Sequence, residues 1–296
     1  MTVRNNSKTI FNFFLFFLIY YTVISCSRSN KPVENTSVGN RTVCVSKQYN
    51  EIIFALHANS NLVGVDLSSN YPEEIKKIPS VGYHRALTVE GILSVNPDLI
   101  IHDNNIGPEH VIAQLKKLQI KMMSFGKYNN SIEGTDSLIR EIGAYYHKEI
   151  IAEKLIAQLE SSFRFAIKKK SIYSHKPKVL VIHYGQASNQ FMVMTNQSIA
   201  AKIINWSGGE ICIPDTKGMK KLSAEIIALA DPEVILITDF GYKKLGTRSE
   251  ILQLPGVATT KAARSNKIYR IEEHDIVYLG PRTGKILLDI QALIHK

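Results

Sequence analysis

Residues 87–101, LTVEGILSVNPDLII, return at residues 222–236 as LSAEIIALADPEVIL, so every position of the second copy lies 135 residues after its counterpart. In each copy a Thr or Ser suited to an N-cap precedes a glutamate in the first helical turn, where its charge meets the positive end of the helix dipole. Apolar residues follow at helical spacing, a tripeptide with a central proline ends the helix, and a continuous apolar run predicts a buried strand. The repeat therefore predicts two α/β lobes.

Further elements extend this pattern on both sides of each copy. Apolar runs predict strands at 62–65, 121–125 and 179–183, and a helix is predicted at 109–118. Because strands alternate with helices, we expect an α/β fold with a mostly parallel sheet in each lobe. Apolar residues recur at mostly helical intervals between the lobes, which predicts one long inter-lobe helix, alone or after a short preceding helix. The predicted domains are a signal peptide (1–25), a lipidated tether (26–40), an N-terminal α/β lobe (41–135), a linking helix (136–173) and a C-terminal α/β lobe (174–296).

The composition is that of a globular chain of one or two domains. Of its 296 residues, 45% are hydrophobic and 21% are charged, which excludes disordered, collagen-like and disulfide-framework proteins. Lysine and arginine number 36 against 26 acidic residues, giving a net charge of +10. This excess favours an acidic partner, and nucleic acid, an anionic membrane surface and an acidic small ligand all satisfy it.

The N-terminus carries an export signal. Arg4 and Lys8 precede an apolar run at 10–24, which is too short for a spanning helix but has the length of a signal-peptide core. Without residues 1–25 the chain keeps 34 basic and 26 acidic residues, so the +8 charge belongs to the exported part. Export and the even spread of basic residues speak against nucleic acid as a partner.

The pairing of Cys44 and Cys212 cannot be deduced from their positions, and two free thiols are the simpler expectation.

Two kinds of motif resemble known families. Val23-Ile24-Ser25-Cys26 resembles the lipobox of bacterial lipoproteins, which implies that Cys26 is acylated; the alternative is a short membrane helix with an incidental cysteine. The stretches 43–64, 81–93 and 254–258 look like the substrate-binding lipoproteins of iron-chelate and cobalamin-type ABC importers. Gly82-Tyr83-His84-Arg85 and Gly280-Pro281-Arg282-Thr283 resemble the hemin-binding subgroup. The resemblance covers essentially the whole mature chain. It implies a class III periplasmic binding protein fold, in which two lobes hold the ligand in a cleft and move little.

Hemin binding makes demands that Tyr83 and Arg85 can meet. Ferric haem needs a hard anionic or imidazole ligand, an apolar slot and positive charge for its propionates. Tyr83 offers a phenolate, which Arg85 could favour by charge and hydrogen bonding, or Arg85 could meet a propionate. Both precede a helix start, in a strand-to-helix loop of the type that lines α/β clefts. From the residues alone, a rim aromatic packed on the lobe is the favoured interpretation of Tyr83. The family resemblance implies that Tyr83 is the axial ligand of the haem iron.

Other ligand-binding candidates lie near these positions or in the second lobe. His84 is a rival to Tyr83; adjacent residues of an extended loop point oppositely, so we expect His84 in an outer shell or at a second haem. His183 and Tyr184 follow a predicted strand, and either could supply a second axial iron ligand, although a histidine there is often a hydrogen-bonded structural residue. Arg282 could reach the cleft, and a surface role is equally plausible.

The glutamates of the repeat have a separate implied role. In the family that the chain resembles, such acids form salt bridges to arginines on the two permease subunits, which implies docking roles for Glu90 and Glu225. The alternative is stabilisation of a helix N-terminus, typically ~0.3–1 kcal/mol. Both roles are compatible, because an exposed acid can serve the helix dipole and a partner.

No catalytic constellation is present in the sequence. Nucleophile-elbow, phosphate-loop, dinucleotide and HExxH motifs are all missing, so we expect no enzyme and no catalytic cofactor, with haem as the transported ligand. The leading hypothesis is a lipid-anchored protein that captures hemin and delivers it to an ABC permease. The alternatives are a ferric siderophore or a cobalamin on the same scaffold, and a surface enzyme that degrades haem or chelates.

Overall fold

The computed structural model describes residues 41–215 and 217–296; the predicted signal peptide, Cys26 and the tether lie outside the described residues. The elements of the N-terminal lobe are β1 (Thr42–Cys44), α1 (Lys47–Ala55), β2 (Leu62–Val65), α2 (Val89–Leu93), β3 (Leu99–Ile101), α3 (Glu109–Lys117) and β4 (Lys121–Met123). Two helices follow, α4 (Ile132–Tyr145) and α5 (Glu149–Lys170). The elements of the C-terminal lobe are β5 (Lys178–Gly185), β6 (Gln190–Met194), α6 (Ile199–Trp206), β7 (Glu210–Ile211), β8 (Met219–Lys221), α7 (Ala224–Ala230), β9 (Val234–Thr238), α8 (Asp239–Leu245), α9 (Arg248–Leu252), α10 (Lys261–Arg264), β10 (Ile268–Ile271), α11 (His274–Val277) and α12 (Thr283–Ile294).

The repeated stretch forms the same helix and strand in both lobes. Thr88 caps α2 by accepting from the backbone N–H of Gly91 at 3.0 Å, and Ser223 caps α7 by accepting from Ile226 at 3.3 Å. Behind each helix a residue with positive φ turns the chain into the strand, Asn96 in the first copy and Asp231 in the second. The strands that follow, β3 and β9, are buried along their length. The two predicted α/β lobes are confirmed.

The two sheets differ in strand direction. The N-terminal sheet has the order β2-β1-β3-β4 and is parallel throughout. In the C-terminal sheet, β10, β9, β5 and β7 are parallel, whereas β6 and β8 pair antiparallel at one edge. The reason is the four-residue connection between β5 and β6, since a hairpin joins antiparallel strands and a parallel crossover needs a longer segment. The mostly parallel α/β class is therefore confirmed, with an added antiparallel edge.

Two helices connect the lobes, a shorter one followed by a longer one, which is one of the two arrangements expected from the sequence. Helix α4 ends at Tyr145, and His147 adopts a left-handed conformation (φ 54°) before α5 begins. The 22-residue α5 spans both cores: Ile156 and Leu159 pack in the N-terminal core and Ala166 in the C-terminal core. Helix α12 packs against α5 so closely that a Cβ on Gly284 would overlap Ser162. Helix α5 is therefore held by packing in the cores of both lobes.

None of the helices in the described ranges has both the length and the apolar character needed to cross a membrane.

Candidate functional site

The carboxyl ends of the strands in the two sheets face each other across a cleft. Parallel strands end at one edge of their sheet, and in open α/β folds that edge holds ligands. Lys47, just after β1, forms an ion pair with Glu273, just after β10, and both side chains are largely buried. Next to this pair, Gln48 Nε2 donates to the carbonyl oxygen of Leu279 at 2.8 Å. These contacts make the floor of the cleft.

A second inter-lobe contact lies one turn further along α1. Glu51 accepts hydrogen bonds from Arg282 and, at 2.8 Å, from the Tyr278 hydroxyl. Arg282 Nη2 also donates to Asp275 Oδ1 at 2.8 Å, and its guanidinium carbon lies 3.6 Å from the centroid of the Tyr71 ring. The guanidinium of Arg282 is therefore occupied by two carboxylates and one aromatic ring.

The loop that carries Tyr83 is held in place by its backbone. Gly82, at φ +105°, accepts a hydrogen bond from Leu67 N at 2.8 Å. Gly107 donates to the His84 carbonyl and accepts from Leu87 N, both at 2.9 Å. Hydrogen bonds at both ends therefore hold the loop that carries Tyr83, His84 and Arg85.

Tyr83 is half-buried in this loop, and its ring centroid lies 4.3 Å from that of His84. Burial raises the pKa of the Tyr83 phenol, because the phenolate loses water. The charge of Lys47 opposes this increase in the pKa most strongly, followed by that of Arg85, while Glu273 adds to it. The inter-lobe ion pair therefore acts on the acidity of Tyr83.

His84 points away from solvent, in contrast to its neighbours. It is 7% exposed, and its Nδ1 lies 3.3 Å from Asp66 Oδ2 and 3.4 Å from Ser68 Oγ. Burial alone would raise the pKa of Asp66, but hydrogen bonds from His84, Ser68 and Ser69 lower it below its usual value. His84 thus anchors the Tyr83 loop to an ionised buried carboxylate.

Arg85 is exposed on the other side of the loop, where its Nε donates to Asn105 Oδ1 at 2.9 Å. Asn105 follows β3, at the same sheet edge, and its Nδ2 also lies 3.5 Å from His84 Nε2. Arg85 keeps further N–H groups free to bind an anion, since the guanidinium has five N–H donors.

His183 and Tyr184 point to opposite faces at the end of β5. His183 is 6% exposed, and its Nδ1 lies 3.2 Å from Thr238 Oγ1. Burial lowers the pKa of His183, and Lys47 lowers it further while Glu273 opposes the decrease. The same inter-lobe ion pair therefore acts on His183 and on Tyr83, one from each lobe. Tyr184 packs against Phe191 at 5.1 Å between centroids, and its hydroxyl donates to Asn189.

A cavity of about 290 Å³ adjoins the floor on the β4 side. Its walls combine polar and aromatic groups from the carboxyl ends of β3 and β4, from α1 and α4, and from the second lobe, including Gln48, Asp103, Phe125, Lys127, Thr135 and Leu279. Among the described residues, no three His, Cys, Asp or Glu side chains form a group that could hold a metal ion.

A model of the periplasmic binding protein family matches residues 42–274. The chain belongs to this family. Its members are substrate-binding proteins of transporters that work with ABC permeases, which confirms the family expected from the motifs.

Three known proteins are similar over most of the chain. The periplasmic heme-binding protein RhuT from Roseiflexus sp. RS-1, in apo form, is 31% identical with a TM-score of 0.78, covering 87% of this chain and 98% of that one. The uncharacterized ABC transporter substrate-binding lipoprotein YvrC of Bacillus subtilis is 24% identical over 86% of this chain and 79% of its own length. The vitamin B12-binding protein of Salmonella choleraesuis is 26% identical over 72% of this chain and 75% of its own length. The family is thus clear, and the relatives differ in ligand.

Within this periplasmic binding protein, the residues proposed from sequence lie in several separate places. Tyr83, Arg85 and His183 lie around the inter-lobe ion pair, with His84 behind them in the Asp66 network. Arg282 is joined to Glu51, and Tyr184 lies in the β5–β6 hairpin. Glu90 and Glu225 are exposed on α2 and α7. Cys44 and Cys212 are free thiols.

Sequence reasoning missed the two partners that make the cleft floor. Lys47 lies three residues beyond β1 and Glu273 two residues beyond β10. The rule that ligands collect at strand carboxyl ends, applied to every strand of the periplasmic binding protein, would have selected both. Asp66, directly after β2, would have been found in the same way.

Proposed function

We propose that this periplasmic binding protein captures haem in its inter-lobe cleft, with the Tyr83 phenolate as axial ligand of the ferric iron, and delivers it to an ABC permease. The observation that carries the proposal is the position of Tyr83, half-buried on a pinned loop at the cleft edge with Lys47 and Arg85 as the cations acting on it. A hard anionic oxygen beside positive charge suits Fe(III).

The other cleft groups have complementary parts in this proposal. Arg85, exposed and only partly occupied by Asn105, would pair with a haem propionate. His183 is the candidate second axial ligand: its Nδ1 lies beside Thr238 Oγ1, so Nε2 is the nitrogen that would bind a metal once the side chain is uncovered. His84 would hold the Tyr83 loop from the outer shell. The similarity to the heme-binding RhuT supports the choice of ligand.

Two further elements connect the protein to its importer. We propose that Glu90 and Glu225, exposed on α2 and α7, dock onto the permease. Within the described part of the chain neither carboxylate forms an ion pair, so both are available to a cationic partner. Cys26 would carry the lipid anchor, and the protein would work as an exported lipoprotein.

Cobalamin is the second candidate ligand, because a vitamin B12-binding protein is 26% identical over 72% of this chain. A corrinoid brings its own metal coordination, so it would use aromatic and polar contacts and would not depend on the Tyr83 oxygen. A substitution of Tyr83 should therefore weaken the binding of haem and leave the binding of cobalamin unchanged.

The test is a visible-absorption titration of residues 27–296 with hemin, run beside Tyr83→Phe and the control Tyr173→Phe, whose ring stacks on His295 at 3.7 Å between centroids. We expect saturable binding with bands of tyrosinate-ligated ferric haem, and a loss of affinity of about tenfold or more in Tyr83→Phe only. Unsaturable changes with hemin, together with saturable cobalamin binding that Tyr83→Phe leaves intact, would replace haem by cobalamin.

A further inference from the structure

An exposed leucine accompanies each glutamate of the repeat. Leu93 lies three residues after Glu90 and is 38% exposed; Leu229 lies four residues after Glu225 and is 87% exposed. Residues three or four apart share a helix face, so α2 and α7 each present a carboxylate and a leucine side by side.

The exposure of these leucines is not a consequence of loose packing. Each helix buries its other face in its lobe, through Ile92 in α2 and Ile227 in α7, both 0% exposed. The exposed residues adjacent to the leucines in the chain are small, Ser94 after Leu93 and Ala228 before Leu229. Each leucine therefore projects from a shallow surface on a fixed support.

The two surfaces lie on the two lobes, at the rim of the cleft. Each helix leads back into a strand, α2 into β3 and α7 into β9, whose carboxyl end faces the cleft. The helix runs opposite to that strand, so its first turn, with the glutamate, lies at the cleft edge. A partner that covers the cleft mouth would thus meet two similar surfaces, one on each lobe.

We propose that Leu93 and Leu229 are apolar anchors by which the protein docks, across its cleft, onto two like permease subunits, each offering a cationic side chain beside an apolar recess. This inference rests on the docking part of the proposed function and adds the source of its affinity. An ion pair at an exposed rim is weakened by water and salt and mainly sets orientation. Desolvating a leucine supplies affinity that does not depend on salt.

Cross-linking in cells tests the contact without reference to the ligand. The full-length lipoprotein is expressed in its source bacterium with p-benzoylphenylalanine replacing Leu93, Leu229 or the control Ile150, which is 75% exposed on α5. We expect ABC permease subunits, identified by mass spectrometry, among the cross-links from positions 93 and 229 and not from 150. Their absence at both positions would overturn the inference.

A second measurement tests whether the two leucines contribute to docking or only lie near the permease. In a strain lacking the gene, Leu93→Ser with Leu229→Ser should lower the uptake of radiolabelled hemin about tenfold or more at limiting protein, while Ile150→Ser restores it fully. Hemin affinity of the purified variants should be unchanged. Full uptake by the double variant would overturn the anchor role. If the wild-type chain restored no hemin uptake while the cross-links to permease persisted, haem transport would fail and the docking surface would stand.

Discussion

Glu51 and Arg282 meet between the two lobes: Arg282 donates from Nε to Oε1 at 3.1 Å and from Nη2 to Oε2 at 3.3 Å, and the glutamate is 2% exposed. They are 231 residues apart in the chain. Together with the Lys47–Glu273 ion pair one turn earlier on α1, they join the lobes at a place distant in sequence from α5. Two separate connections oppose a hinge motion between the lobes.

Glu51→Ala should lower the free energy of unfolding by about 3 kcal/mol, because it leaves the Tyr278 hydroxyl unpaired and Arg282 with only Asp275. Urea unfolding at neutral pH measures the loss. The control is Glu153→Ala, which removes a pair with Arg140 whose two side chains are 58% and 52% exposed, and which should cost under about 1 kcal/mol. Equal losses in the two variants would contradict the inter-lobe role.

Lys47→Met should shift haem binding to higher pH. The charge of Lys47 is the strongest influence lowering the pKa of Tyr83, while Glu273 raises it, so the substitution leaves Arg85 alone to oppose the raising charge of Glu273. Hemin affinity measured against pH reports the shift. Adding Glu273→Gln should reverse part of it, and Lys244→Met, near Tyr184, should have no effect. An unchanged pH profile in Lys47→Met would disprove this coupling.

Asp136→Asn should stabilise the protein at pH 7. Burial, with the nearby charge of Glu160, raises the pKa of Asp136 from 3.8 to about 6. A carboxyl group with a raised folded-state pKa contributes stability below the unfolded value, and that contribution is lost as the pH rises through the folded value. The gain from asparagine should therefore develop between about pH 4 and 6 and be complete at pH 7. Urea unfolding at pH 4 and pH 7 tests this, and a gain that is equal at both would contradict it.

Glu90→Ala combined with Glu225→Ala should impair hemin uptake and leave hemin affinity intact, because both side chains lie outside the cleft. Uptake by cells and titration of the purified protein are the two measurements. Glu149→Ala, which removes an exposed acid from the first turn of α5, is the matched control. Normal uptake in the double variant would remove the docking role.

Cys26→Ser should release the full chain from the membrane fraction, since acylation of that cysteine would be its anchor. Fractionation and labelling with radioactive palmitate follow the change. Cys212→Ser, which alters a partly buried thiol, should stay with the membrane. A membrane-bound and labelled Cys26→Ser chain would exclude the lipobox interpretation.

Local patterns were sufficient to predict most of the fold. The strands 62–65 and 99–101 were predicted at their exact limits, and Thr88 and Ser223 cap the predicted helices. A short helix before the long one was left open, but the position of the break between α4 and α5 was not predicted, because His147, which adopts the left-handed conformation, carries no glycine-like signal. The antiparallel edge formed by β6 and β8 was not predicted either. The direction of these strands is set by the short turn between β5 and β6, and the spacing of apolar residues does not reveal it.

By itself, the sequence determined the two α/β lobes, the family and the loop that carries Tyr83, because these depend on the period of apolar residues and on short motifs. The tertiary structure alone decided which charges meet. Lys47 and Glu273 lie 226 residues apart, and only the facing of two sheet edges makes them an ion pair. Similarly, Arg282 is held by Glu51, and His84 by Asp66. Such pairs form where burial makes an unpaired charge costly, and that burial exists only once the chain has folded.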